Sequence, residues 1–541
     1  MLSLIFLEMA IPAAVAHDDP VPAIIKAKVE QIGSAQGLHE ADHTIASVTV
    51  LSELYKRKNF QLLWQKSIDI QDLLNEIEAI KKDGLDPDDY HFELLHSLHK
   101  RRSNSGASDP DLLVNFDLFL TDGLIRLFYH LTRGKLDPEI LHPQWNLTGH
   151  INGHHPVDTI EKLIDTGELI QTIRGLKPQG FLYQRLKAGL KEYIGIQTAG
   201  GWHHVPEGPI LRLGDTDPRV PALRRRLAIT GDQEDDTSES EFYDDQLEKA
   251  VVRFQYRHRL ATDGVVGKNT LAALNVPVAA RIDQIRANLE RARWVQYKPT
   301  GSFLLVDIAG YRAFFYRNNK VLWSSRIQVG NPVRRTPVFR SEIEHLVINP
   351  TWTVPSTILH QDIIPAVKNN PDYLKKRSLE IIDNSDNVID LDRINWSKYA
   401  NRRFPYKLRQ NPGPRNPLGQ LKFVFPNSHQ VTMHDTPSKW LFMRQDRTFS
   451  SGCIRVEQPF ELAQILLNNP ETWNQESIKT AVDSSKTMLI NLPEPVPVLL
   501  LYWTAGVGQN GEIHFKRDPY NRDRAVLEGL KTAFEQGKHS L

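Results

Sequence analysis

The 541 residues predict a multidomain α+β chain, and three observations carry that prediction. Up to about residue 200, apolar side chains recur every three or four positions; a short three-helix segment follows; from Phe303 the period drops to two. A chain of this length holds about three or four domains of ordinary size.

The elements follow in order. Leu2 to Leu7 is apolar, and Ala14-Val15-Ala16 before His17-Asp18-Asp19 reads as a cleavage site, so residues 1–20 are expected to be a signal segment or a truncated anchor. No Lys or Arg precedes Lys26, and Glu8 interrupts the apolar run. Residues 30–200 are read as all-helical, from sets such as Leu73, Leu74, Ile77, Ile80 and Leu118, Leu120, Leu124, Leu127. Asp83-Gly84-Leu85-Asp86-Pro87 and Arg133-Gly134-Lys135-Leu136-Asp137-Pro138 close helices with Gly and reopen them with Asp-Pro.

Residues 208–277 hold three short helices. Asp217 is expected to cap the first, with Pro218 opening it and Val220, Leu223 and Leu227 on one face; Leu247, Val251 and Phe254 line the second, and Asp263-Gly264 turns into the third, with Thr270, Leu271 and Leu274. A linker helix is expected over 278–300. The β domain is placed at 301–495, in strands such as Phe303–Ile308, Ala313–Tyr316 and Leu322–Val329, resuming at Leu421–Phe425 and Gln430–Met433. The intervening stretch, about 356–406, is a partly helical insertion. Residues 496–541 form a carboxy-terminal segment packing on the helical or the β domain, and Val496 to Trp503 reads as a buried strand.

Composition narrows the function. With 66 Lys and Arg against 65 Asp and Glu, and basic runs scattered at 56–58, 224–226 and 375–377, nucleic acid is excluded as a partner. One cysteine forbids an internal disulfide and any cysteine-pair zinc site. A zinc amidase would have to draw on His150, His154, His155, His203 and His204, which lack a helical His-Glu-x-x-His arrangement, so no metal or other cofactor is expected. Ser97-Leu98-His99-Lys100 matches the Ser-x-x-Lys pattern of penicillin-sensitive serine enzymes, but no Lys-Thr-Gly accompanies it.

The chemistry concentrates at Met433-His434-Asp435-Thr436-Pro437 and Ser450-Ser451-Gly452-Cys453-Ile454-Arg455-Val456. A lone cysteine is commonly a small buried hydrophobe. Here Gly452 lets a carbonyl approach the backbone beside the sulfur, and the N–H groups around Gly452 and Cys453 are placed to meet an oxyanion. Arg455, two residues on, falls on the side of Cys453 in an extended chain and favours thiolate. A nucleophilic thiol needs a base, and His434 ends a strand-like run and opens an Asp-Thr-Pro turn, where a sheet presents a side chain to a cleft.

These two segments resemble the signature of the L,D-transpeptidase (YkuD) catalytic domain. Asn349-Pro350-Thr351-Trp352-Thr353-Val354-Pro355, Pro412 to Gly419, Tyr502-Trp503-Thr504-Ala505 and Asp83 to Pro87 extend the likeness to the large, YcbB-like branch, over nearly the whole chain. Ser451 stands where many members of the wider family have histidine, and the branch shares this serine. The three-helix segment, through Asp263-Gly264-Val265-Val266-Gly267-Lys268-Asn269-Thr270, resembles a small peptidoglycan-binding module.

The resemblance implies an all-helical amino-terminal scaffold, a peptidoglycan-binding-like module and a mostly antiparallel β catalytic domain with an inserted lid. It implies that Cys453 attacks the third-residue carbonyl of a tetrapeptide stem, expels D-alanine and passes the acyl group to the diaminopimelate amine of a second stem, with His434 moving the protons. The Asp435 backbone carbonyl would orient the ring, Gly452 and Arg455 would support oxyanion and thiolate, and Ser451, Trp352 and Met433 would contact substrate. Partners would be peptidoglycan stems and glycan, a D,D-carboxypeptidase or penicillin-binding protein supplying donors, and carbapenems as covalent inhibitors. The location implied is the periplasm, attached to the inner membrane through the amino-terminal segment, with a role in cell-wall biogenesis and cell shape. Water in place of the acceptor gives an L,D-carboxypeptidase, and loss of catalysis leaves a peptidoglycan-binding scaffold.

Overall fold

The computed structural model describes residues 19–34, 37–105, 109–142, 145–147, 156–234, 238–297, 299–391, 394–399, 402–508 and 510–532. The signal-like residues 1–18 and His150, His154 and His155 lie outside them. The chain is α+β and divides into two compact units, one of residues 1–135, 150–178 and 532–541, the other of 136–149 and 179–531. No helix among the described residues is long and apolar enough to cross a membrane.

The first unit is helical and built around α1 (Pro110–Arg133), where Asp109 caps by accepting from the Leu112 amide at 3.1 Å. Nearly every residue of α1 from Leu112 to Leu131 is buried. Two of its carboxylates are therefore paired internally. Asp117 accepts from the Tyr55 hydroxyl at 2.6 Å and the Trp64 amide at 2.9 Å, and Asp122 takes Arg126 at 2.6 Å, His91 at 2.7 Å and the Ser47 amide at 2.8 Å. The Gly and Asp-Pro punctuation behaves as read: Gly84 is left-handed at φ 79°, and Asp86 and Asp137 each cap a short helix opened by proline. Ser97 and Lys100 sit exposed on the helix Phe92–Ser105.

The second unit includes α2 (Phe181–Thr198), then the three-helix segment α3 (Val220–Ile229), α4 (Asp245–Arg257) and α5 (Lys268–Leu274). Val220, Leu223, Leu227, Leu247, Val251, Phe254 and Leu274 form its core. Asp217 does not cap α3 directly; it accepts from the Arg219 amide at 2.9 Å and grips that residue's guanidinium, and the helix starts at Val220. α6 (Val278–Trp294) is no mere linker. It buries the Glu290–Arg293 pair completely and packs with α2 and the hairpin Ala505–Val507/Ile513–Phe515, so α2 and the chain up to Lys531 belong to this unit.

The β domain is one nine-stranded sheet. Its strands are β1 (Ser302–Asp307), β2 (Arg312–Arg317), β3 (Lys320–Gly330), β4 (Phe339–Ile348), β5 (Leu421–Val424), β6 (Met433–His434), β7 (Thr448–Ser450), β8 (Ile454–Val456) and β9 (Met488–Leu501). They run β7-β3-β8-β6-β5-β4-β9-β1-β2, and pairing of β2 with β3 turns the sheet back on itself. The boundary drawn at 495 is corrected: β9 runs unbroken through it, between antiparallel β4 and parallel β1, and a register shift from Asn491 to Val496 accommodates Pro493 and Pro495.

The insertion is wider than 356–406. It has its own four-stranded sheet, with Trp352–Thr353 paired to Lys407–Gln410, and its own core of Leu359, Ile363, Val367, Leu379, Ile381 and Leu408. A two-residue strand is too short to show a period in sequence, which hides the true ends.

Candidate active site

The site lies where β5, β6, β8 and β3 pair side by side. The register aligns Lys422 with His434, His434 with Arg455, and Arg455 with Gln328, so these four residues form one row across one face. Their neighbours Phe423, Met433, Ile454 and Ile327 are fully buried on the other face. This corrects the expectation for Met433: alternation along β6 turns it into the core and away from substrate.

Cys453 enters this face just before β8. The Ile454 amide bonds to the Thr432 carbonyl at 3.0 Å, and the Thr432 hydroxyl lies 3.8 Å from the Cys453 Sγ. Thr432 and His434 are two apart on an extended chain, so sulfur and imidazole face the same way. Both line a cleft of about 350 Å³, together with Arg334, Trp352, Ile358, Leu418, Ser451, Gly452 and Arg455. No direct hydrogen bond joins the two side chains among the described residues. A second cavity of about 390 Å³ is lined by Arg185, Asp232, Arg253, Arg257 and Glu512; its Asp232 accepts from the Thr230 hydroxyl at 2.7 Å and pairs with Arg257.

Neighbouring loops brace the turn at Cys453. Gly452 has φ 114°, a conformation that side chains resist. Its carbonyl accepts from the Thr336 hydroxyl at 2.8 Å, and the Ser450 hydroxyl donates to the Cys453 carbonyl at 2.5 Å. Thr336 is itself held: its hydroxyl accepts from the Gly330 amide at 2.8 Å, and its amide donates to the Tyr520 hydroxyl at 3.2 Å, which donates to the Gly330 carbonyl at 2.7 Å. The Gly452 amide donates to Ser450 Oγ at 3.1 Å. Of the two amides expected at an oxyanion, that of Gly452 is therefore occupied, while the Cys453 amide has no partner among the described residues.

His434 is buried, and its Nδ1 lies 2.5 Å from the Asp435 carbonyl. A carbonyl only accepts, so Nδ1 carries the proton and Nε2 keeps a lone pair. Burial, with Arg455 adding to it, pushes the ring's pKa down to about 3, although the bond to Asp435 opposes this. The ring is thus neutral at ordinary pH. The Asp435 carboxylate is engaged elsewhere, by the Gln420 amide at 3.0 Å and by Lys439. Burial also lowers Lys422 and Arg455, and the nearby Cys453 opposes that in both. Arg455 reaches Gln328 at 3.3 Å.

Ser451 is exposed, and its hydroxyl accepts from Arg334 at 3.0 Å. Trp352 is half-buried, lining the cleft while packing on the core of the insertion. Sequence reasoning missed Lys422, Thr432, Thr336 and Arg334. A lysine inside the apolar run Leu421 to Phe425 was the one available signal. Among the described residues, no group of three or more His, Cys, Asp or Glu is placed to hold a metal ion.

Comparison with known proteins bears on the same segments. Residues 301–483 match the L,D-transpeptidase catalytic domain, residues 216–274 the family described as "Putative peptidoglycan binding domain", and residues 49–190 a scaffold domain. A curated Haemophilus influenzae protein described as "Putative L,D-transpeptidase" is 37% identical over 243 residues, 45% of this chain and 48% of that protein. The chain thus spans about half the length of that relative. Among solved structures, an L,D-transpeptidase from Xylanimonas cellulosilytica aligns at 16% identity and TM-score 0.19, over 55% of this chain and 99% of that one. One from Stackebrandtia nassauensis aligns at 12% and 0.21, over 55% and 96%.

Proposed function

We propose that this chain, which carries an L,D-transpeptidase catalytic domain at residues 301–483 beside a scaffold domain and a peptidoglycan-binding domain, cross-links peptidoglycan stems through an acyl-enzyme on Cys453. The observation that supports it best is the chain's one thiol sharing a cleft with a buried, neutral imidazole whose Nδ1 rests on a carbonyl.

In the first half the thiol gives its proton to His434 Nε2 and the sulfur attacks the third-residue carbonyl of a tetrapeptide donor. The Cys453 amide steadies the oxyanion, the carbon–nitrogen bond breaks, and His434 returns the proton to the departing D-alanine amine. In the second half the side-chain amine of another stem's diaminopimelate attacks the thioester, yields a proton to His434 and frees the sulfur. Lys422 and Arg455 set positive charge near the sulfur. Trp352 and Ser451 border the peptide. Such a substrate puts the protein outside the cytoplasm, and a D,D-carboxypeptidase or penicillin-binding protein would supply its tetrapeptides.

Incubation of purified protein with tetrapeptide muropeptides tests the assignment. D-Alanine and cross-linked dimers are expected from the wild type, and neither from Cys453→Ser, because a serine hydroxyl is a far weaker nucleophile near neutral pH. Tripeptides without dimers would make the protein an L,D-carboxypeptidase, and binding without D-alanine release a scaffold. Carbapenems are expected to acylate the same sulfur: intact-mass spectra should give one adduct on the wild type and none on Cys453→Ala.

A further inference from the structure

Arg334 stands on the loop that follows β3, where Asn331 Oδ1 accepts from the Val333 and Arg334 amides at 2.9 and 2.7 Å. Its guanidinium projects along the cleft and makes three kinds of contact. Nη1 and Nη2 each reach a different oxygen of Asp362, both at 2.6 Å; Nη2 and Nε reach Gln361 Oε1 at 2.9 and 3.2 Å; Nη1 reaches Ser451 Oγ at 3.0 Å. Asp362 and Gln361 belong to the insertion, whereas Ser451 is two residues from Cys453.

Two parallel N–H···O bonds to one carboxylate are what a guanidinium offers any carboxylate, from this chain or from a ligand. The resident carboxylate is weakly committed. The Asp362 side chain is 45% exposed, and an ion pair that solvated is favoured by about fivefold at most over its separated groups. The fork also lines the cleft that holds Cys453, and a donor peptide has a charge to match it. In a tetrapeptide stem the leaving residue bears a free α-carboxylate three bonds from the scissile carbonyl carbon, and that carbon must sit on the Cys453 sulfur.

We propose that Arg334 anchors the terminal α-carboxylate of the donor stem, and that Asp362 holds the same fork until the peptide displaces it. The inference rests on Cys453 being the acyl-transfer nucleophile. It makes Arg334 a ruler: a donor is read by how far its carboxylate lies from the scissile bond, so a stem one residue longer presents a neutral amide to the fork. Because Asp362 is carried by the insertion, arrival of the donor also releases this tie between the insertion and the loop after β3.

The test compares a tetrapeptide donor with its carboxy-terminal amide, following release of D-alanine or D-alaninamide. With wild-type protein the amide is expected to have a kcat/KM about 10- to 100-fold lower, the range for losing a charge-assisted pair. The amide's leaving amine is the less basic of the two, so a slower reaction cannot come from the leaving group. Arg334→Gln should close the gap by slowing only the free acid, Arg334→Lys should restore part of it, and Asp362→Asn should lower KM for the free acid alone.

Equal kcat/KM for acid and amide in the wild type would overturn the anchor while leaving the acyl-transfer reading intact. Release of nothing from either donor would overturn both. If Arg334→Gln slowed iodoacetamide alkylation of Cys453 as much as it slowed turnover, Arg334 would be acting on the loop through Ser451, and the anchor would fall.

Discussion

Two buried histidines, one in the helical unit and one in the β domain, differ in what their ring nitrogens meet. His91 has both ring nitrogens spoken for, Nε2 by Asp122 at 2.7 Å and Nδ1 by His43 at 3.1 Å, and Asp122 in turn is held by Arg126 and a backbone amide. His434 has one nitrogen fixed on a carbonyl, cations rather than carboxylates in its row, and a thiol in the cleft it faces. Burial lowers the pKa of both rings. Burial alone therefore does not distinguish the two rings; what faces each of them does.

Substitutions at the two places should separate these roles. His434→Asn is expected to cut turnover by about 10²- to 10⁴-fold, the usual share of a general acid–base group, while the urea midpoint moves little. Asp122→Asn should do the reverse, lowering stability by about 3–5 kcal/mol through the broken buried pair, with turnover per folded molecule unchanged. If both variants lost activity and stability together, the contrast would collapse.

A pH series sharpens the comparison further. Because the folded pKa of His434 lies near 3, below the ordinary histidine value, the unfolded chain takes up a proton first as pH falls. Stability should therefore be lost between about pH 6.5 and 3, with this ring contributing at most about 1.4 kcal/mol per pH unit. His434→Gln should flatten that slope in urea titrations at pH 7 and pH 5. The wild-type kcat/KM profile should have no inflection near 6.5; one there would mean that the ring is solvated. The smallest effect is assigned to Lys422→Met, which removes one of two cations near the sulfur and should slow iodoacetamide alkylation by about tenfold or less.

Much of this site is legible in the sequence, because sulfur, imidazole, Gly452 and Arg455 sit in two short segments whose residue types imply their chemistry. What stayed hidden depends on strand order. Lys422 joins the row only because β5 pairs with β6, and β6 in turn with β8, which no local pattern announces. Met433 adjoins His434 in sequence but points to the opposite face of the strand, into the core. The Gly452 amide was assigned to an oxyanion because nothing in the sequence says that Ser450 folds back onto it. Thr336 and Arg334 lie more than a hundred residues from the loop they touch. In the fold, the helical, three-helix and β regions follow their periodicities, whereas the end of the β domain was misjudged because three prolines, Pro493, Pro495 and Pro497, look like punctuation and instead sit in β9.

That strand sets a practical limit on dissecting the molecule. The segment matching the L,D-transpeptidase catalytic domain stops at 483, yet β4 and β1 meet only through residues 488–501, and the hydroxyl steadying Thr336 arrives from position 520. A fragment cut at the edge of the homologous region would expose two long unpaired strand edges and invite self-association. Recombinant versions of the catalytic portion will have to keep the chain through Tyr520 to behave as the intact protein does.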